Sequence, residues 1–251
     1  MIRSLFGLAL FLGFVQFAGA QDTGKKITIR WYGQSFFQIE TSDKTLIVTD
    51  PHAMPEYNRN VVRADLVTCS HMHSDHVQVE ILENSKEAKI YYGLDPKSKR
   101  SIFNPISAKF KNVTFYDVES DHDPDGGMTR GKNAIFVFEV DGLRICHLGD
   151  LGTILDEKQI KQIGKVDILL IPIGGVYTIN GEKAKEVVRQ LKPRLYIIPM
   201  HYGTKVLDSL QPPDEFLEGQ KNVKKLEDTN ALTIPVDLKQ DNPVIVLLGW
   251  K

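Results

Sequence analysis

The 251-residue chain predicts an α/β architecture in one domain, with sheets covered by helices. Three observations predict it. Short alternating or apolar runs, bounded by Gly, Pro, Asp and Asn, recur through the first half and read as strands. The second half alternates continuous apolar runs, such as residues 167–172, with segments of helical period, such as residues 181–191, the pattern of sheets packed against helices. Metal-ligand residue types recur just past predicted strand ends, and open α/β architectures gather function at one edge of the sheet.

The elements follow in order. Residues 26–32, 36–41 and 45–49 alternate and are β-branched, so they read as strands, the third ending at Asp50-Pro51. His52 then falls in a loop and reads as exposed. Residues 64–69 form an apolar strand that runs into Ser70-His71-Met72-His73-Ser74-Asp75-His76. Residues 77–84 read as a helix and 89–92 as a strand, followed by a Pro-, Ser- and Lys-rich loop through residue 105. The strand 113–118 leads into an acid- and glycine-rich stretch around His122, where Asp121 or Asp123 is placed to hold the second ring nitrogen. Residues 134–140 and 143–147 form a hairpin about Asp141-Gly142, a strong two-residue turn signal. Its second arm leads to Asp150 between Gly149 and Gly152, and His147 reads as a packed strand residue. Residues 156–163 are a helix stopped by Gly164. Residues 167–172 are a buried strand, 181–191 a helix closed by Pro193, and 195–199 a strand ending near His201. A helix over 213–222 and a strand over 243–248 complete the chain.

Composition bounds the function. The chain is 42% hydrophobic and 25% charged, enough for one large core. A formal net charge of −1 lacks the clustered basic excess of a nucleic-acid-binding surface. Residues 1–20 differ from the rest. Arg3 gives a positive start, residues 5–17 are mostly apolar, and Ala18-Gly19-Ala20 is a small-residue cleavage site. That is the layout of a secretory signal peptide, shorter than the ~20 apolar residues of a membrane span. The expectation is an exported protein, periplasmic or secreted, with residues 21–251 as the mature domain and no stable membrane insertion. Cys69 and Cys146 are too few for a disulfide framework and are expected as buried thiols.

Three of the seven histidines and one aspartate fall within residues 71–76. Imidazole and carboxylate are the ligands that borderline divalent metals prefer. His122, Asp150 and His201 repeat the placement at three further strand ends. Seven such groups divide between two metals at three apiece with one shared, and the shared one should be a carboxylate, whose two oxygens can bridge.

This ordered set, HxHxDH then His, Asp and His, resembles the metallo-β-lactamase fold superfamily over essentially the whole mature chain. Tyr32-Gly33-Gln34-Ser35, Asp50-Pro51, His122-Asp123, His147-Leu148-Gly149-Asp150 and PIGGVYTIN over residues 172–180 resemble its ascorbate-phosphate lactonase-like branch. Gln34 stands where a histidine is common. The resemblance implies a four-layer αββα sandwich. It also implies that His71, His73 and His122 hold one metal, that Asp75, His76 and His201 hold a second, and that Asp150 bridges. Asp50 and Asp123 would orient these ligands from behind. An Asp at the bridging position, rather than Cys, argues against a true β-lactamase.

The expected chemistry is hydrolysis of a small ester, lactone or phosphodiester by a hydroxide between two divalent ions, zinc foremost and manganese or iron compatible. Asp75 and Asp150 would be the catalytic carboxylates. Thr178, Asn180 and Lys183 follow the glycine loop, where Asn180 reads as a helix cap and Lys183 as solvated. The alternative is a non-catalytic exported metal-binding protein that keeps the fold.

Overall fold

The computed structural model describes residues 24–98 and 101–250, so the signal-peptide expectation lies outside the described residues. The chain begins with β1 (Lys26–Trp31), β2 (Phe37–Glu40) and β3 (Leu46–Thr49), antiparallel neighbours, then β4 (Leu66–Cys69), parallel to β3, and β5 (Lys89–Tyr92), parallel to β4. It continues through β6 (Ser107–Phe110), β7 (Val113–Asp121), β8 (Lys132–Val140) and β9 (Leu143–His147), an antiparallel meander. Then come α1 (Glu157–Ile163), β10 (Ile168–Pro172), α2 (Gly181–Leu191) and β11 (Tyr196–Met200). A short α3 (Asp214–Leu217), β12 (Val223–Leu226), β13 (Ala231–Pro235) and β14 (Val244–Leu248) follow.

Two sheets result, a six-stranded one in the order β13-β1-β2-β3-β4-β5 and an eight-stranded one in the order β12-β14-β11-β10-β9-β8-β7-β6. The main core lies between them. Period-two alternation aims Ile27, Ile29, Trp31, Phe37, Ile39, Ile47 and Leu66 of the first sheet into it, where they join Phe115, Phe136 and Phe138 of the second. Residues of opposite parity, Phe36, Val48, Val67 and Cys69, form a separate cluster on the outer face with Val62, Ala64 and Leu82. The result is an α/β sandwich. The second sheet is covered by helices, with Ile163 of α1 and Ala184, Val187 and Leu191 of α2 in the core. Among the described residues no helix is long and apolar enough to cross a membrane.

Several local expectations are corrected. Residues 77–84 contain only a 3-10 turn, Val79–Ile81, because Val77, Val79 and Ile81 are spaced to cover the outer cluster in an irregular wrap. The helix expected over 213–222 is limited to Asp214–Leu217. β6, β12 and β13 were not legible. β6 and β12 are short and half-exposed, each with lysine on its open face, and β13 is stabilised by pairing with β1, some 200 residues away in sequence. Both cysteines are free and buried, Cys69 in the first sheet and Cys146 in the second.

Topology positions the site. β7 and β9 are each antiparallel to β8, so they run the same way, and β10 and β11 are parallel to β9. Their C-terminal ends therefore share one edge of the second sheet. β3 and β4 present theirs from the first, and Asp50 and Ser70, which follow them, meet through a 2.7 Å hydrogen bond.

Candidate metal centre

Four loops converge at that edge. The first, after β4, carries His71, His73, Asp75 and His76. His71 Nε2 and His73 Nδ1 face each other at 3.0 Å. His122, following β7, completes a group with them in which the nitrogens lie within 4.8 Å of one another. Asp75, His76 and His201 form a second such group. Asp150 stands between the two groups. Its Oδ2 is 3.3 Å from His76 Nε2, 3.5 Å from His122 Nε2 and 3.2 Å from His201 Nε2.

These spacings fit metal ions. Ligand nitrogens at 2.0–2.1 Å from a tetrahedral zinc lie about 3.3 Å from each other. His76 Nε2 is buried with no hydrogen-bond partner among the described residues, although buried imidazole nitrogens are ordinarily satisfied. A cluster of nitrogens and carboxylates at ligand-to-ligand spacing, with an orphaned nitrogen aimed into it, suits divalent cations. A third set, Asp50, His71 and His76, is equally close, but Asp50 is already engaged. Its Oδ1 accepts from Ser70 N at 2.7 Å, and its Oδ2 accepts from Ser70 Oγ at 2.6 Å and faces His76 Nδ1 at 2.8 Å. Asp50 thus fixes the His76 ring from behind, with Nε2 turned toward Asp75 and Asp150.

The electrostatics are those of an acid–base cluster. Burial alone would lower His76, but Asp150 and Asp50 outweigh it and raise the imidazole well above its ordinary range. Burial resists ionisation of Asp75, yet His76 beside it brings the carboxyl down to about 2. Asp150 is likewise held well below the usual range by His201 and His76, against the cost of its burial. His71, His73 and His122 are lowered, chiefly by burial. Both aspartates are therefore carboxylates at neutral pH, and these three histidines are neutral bases, the protonation states that metals bind.

The backbone is tuned to this convergence. Asp50, His201 and Gln34 have φ of 44°, 48° and 46°, in the left-handed region where non-glycine residues carry a cost and tend to mark functional sites. Gly152 lies so close to the next loop that a Cβ there would collide with the backbone of His122 and Asp123.

Other placements differ from the sequence reading. Asp123 does not reach His122. Its carboxylate accepts the backbone N–H groups of Asp125, Gly127, Thr129 and Arg130, and Asp121 is paired with Lys132 at 2.6 Å. His122 Nδ1 has no hydrogen-bond partner among the described residues. His52 is not exposed but 1% accessible, donating from Nε2 to Gly33 O at 3.1 Å between Phe36 and Tyr57. His147 is a packed strand residue that donates to Ser35 O at 3.0 Å. Asn180 caps α2 by accepting from Lys183 N. Sequence reasoning missed Ser35, whose Oγ donates to Asp150 Oδ1 at 3.2 Å, and Asn133, whose Oδ1 accepts from Asp150 N at 2.9 Å. It also missed Arg130 and Tyr177, which line a cavity of about 310 Å³ with His73, Asp75 and other cluster residues. The signal for Tyr177 was its place in the Gly174-Gly175-Val176-Tyr177 loop; nothing local marks Arg130.

The fold and this cluster define a metal-dependent hydrolase of the metallo-β-lactamase superfamily. Residues 28–201 match the beta-lactamase superfamily domain. The chain is 30% identical over 239 residues to a UPF0173 metal-dependent hydrolase of Myxococcus xanthus, covering 87% of this chain and 84% of that one. It is 32% identical to one of Thermococcus onnurineus over 71% of this chain and 85% of that one. Among solved structures it resembles a Thermotoga maritima protein described as a Zn-dependent hydrolase of the metallo-β-lactamase superfamily, with a TM-score of 0.67 and 36% identity over 88% of this chain and 97% of that one. The chain belongs to this superfamily and to its UPF0173 metal-dependent hydrolases.

Proposed function

We propose that the chain is an exported hydrolase that uses two divalent ions, zinc foremost, to cleave a small ester, lactone or phosphodiester. His71, His73 and His122 would hold one ion, Asp75, His76 and His201 the other, and Asp150 both. The observation that carries the two-ion reading is the position of Asp150 Oδ2 within 3.2–3.5 Å of imidazole nitrogens from both groups. A closed structural zinc site needs only four ligands, and seven in an open cavity exceed that. Manganese or iron would suit the carboxylates, but the five imidazoles favour zinc.

Bound there, the ions would supply Lewis acidity toward a carbonyl or phosphoryl oxygen and activate water at neutral pH. The chain's own residues do the remainder. Asp75, ionised and 36% exposed at its side chain, faces the cavity and can orient the attacking water by accepting a hydrogen bond from it. Ser35 and Asn133 fix the Asp150 carboxylate and its backbone, so its two oxygens cannot rotate out of place. The loops leave room for a small molecule.

The test couples metal analysis to ester, lactone and phosphodiester panels. Native protein should carry about two ions per chain, chelation should abolish turnover, and Asp150→Asn should lose metal and at least ~100-fold in activity. Equal turnover by the metal-free form would sink the reading. Export has its own check. Expression with the native leader should yield a periplasmic or secreted protein whose N-terminus is Gln21; an intact Met1 on cytoplasmic protein would refute it.

A further inference from the structure

One cation in the cavity has no part in the hydrolytic chemistry above. Arg130 is the only Lys or Arg among the described residues that line it. Of its five N–H groups, one is used within the protein, where Nη2 donates to Val176 O at 3.1 Å. Its guanidinium lies 5.6 Å from the centroid of the Tyr177 ring. No carboxylate among the described residues forms an ion pair with it, and Asp121, the acid at the end of β7, is paired with Lys132. An arginine that lines a cavity without an anionic partner is poised to receive one.

The surrounding backbone holds it there. Arg130 lies near the end of the loop of residues 124–131, and the buried Asp123 carboxylate ties that loop through four backbone N–H groups, that of Arg130 itself at 2.6 Å. Asp123 directly follows His122, so this knot fixes the arginine relative to the metal cluster. Tyr177 comes from a different loop, after β10. Val176 beside it has φ 57°, a conformation that a β-branched residue adopts only at a cost. Arg130 lines the same cavity as His73, Asp75, His122, Asp150 and His201.

We infer that Arg130, backed by the Tyr177 ring, binds an anionic group of the substrate, a carboxylate or a phosphate, so that the enzyme selects small molecules carrying a negative charge beside the bond to be cleaved. This rests on the hydrolase reading only for where that bond lies. The chemistry matches on three counts. A planar guanidinium pairs two oxygens of one anion at once. Stacking on an aromatic face leaves its N–H edge free. A cavity of about 310 Å³ is at the small end of ligand pockets, so one compact molecule can reach the metal cluster and Arg130 together. The competing role is a strap that merely joins the two loops through Val176 O.

The test reads binding without turnover. Zinc-loaded protein is titrated calorimetrically with glutarate against butyrate, and with 4-phosphonobutyrate against butyrate, so that the added anionic end is a carboxylate in the first pair and a phosphonate in the second. The native protein should bind the two-ended member at least ~10-fold more tightly. Arg130→Gln should reduce that preference to within about twofold, and Arg130→Lys, which keeps charge but not the fork, should retain part of it. Whichever pair shows the larger preference separates carboxylate from phosphate as the natural group. The inference falls if native protein has no preference, or if the preference survives in Arg130→Gln. If Arg130→Gln does not fold, an undiminished preference in Arg130→Lys overturns it equally. Failure of the substrate panels would remove the hydrolytic reading and leave this result intact.

Discussion

His52 shows how a single side chain can mislead and then inform. It follows Asp50-Pro51 in a loop, yet its ring is packed between Phe36 and Tyr57, and burial takes it down to about 4. An imidazole with a lowered folded-state value stays neutral while the unfolded chain takes up a proton. The stability it contributes is therefore present above about pH 6.5 and is lost as pH falls through that value toward about 4. In metal-stripped protein the midpoint of thermal unfolding should fall between pH 7 and pH 4.5, and His52→Gln, which keeps a donor for Gly33 O, should show a smaller fall. An identical pH dependence in the two proteins would assign the loss to other groups. Ser35 and Asn133 make the same point from the other side. Neither is a metal-ligand residue type, and each matters only because the fold brings it to Asp150 from far away in sequence.

At the scale of elements, the strands set the direction of the loops and the glycines set how closely the loops meet. α1 begins with a capping box in which Asp156 and Gln159 satisfy each other's backbone, and α2 is capped by Asn180, so both helices start where the sequence places them. The Asp150 loop depends instead on Gly152, packed on the backbone of His122. Gly152→Ala should force the two loops apart, cost ~1–3 kcal/mol and weaken metal retention. Urea midpoints together with zinc content check this. Native zinc content at reduced stability would separate loop packing from the metal cluster. The turn of residues 77–84 fails as a helix because Val77, Val79 and Ile81 follow alternation rather than helical period, and they pack on the outer face of the first sheet.

For the whole molecule, the two sheets contribute separate parts of one site. Asp50 and the loop holding His71 to His76 come from the first sheet, and His122, Asp150 and His201 from the second. Metal held across that junction would couple the two halves. Chelation should therefore lower the unfolding temperature by several degrees, with recovery on adding zinc, since a ligand bound only by the native state stabilises it. An unchanged unfolding temperature would mean that the sandwich is held by its core alone.

The sequence by itself determined the inventory. Donor-type residues recur at strand ends because local periodicity marks where strands stop, and side-chain identity marks what could bind there. Asp156 and Asn180 read as helix starts for the same local reason. The tertiary structure decided everything that depends on distance through space. It placed β13 beside β1, turned Asp123 away from His122 onto its own loop, buried His52, and brought Arg130 against the Tyr177 ring in the lining of the cavity. These outcomes rest on register, sheet order and loop packing between residues far apart in the chain. No short window of sequence carries them, because the partner that fixes each one lies elsewhere.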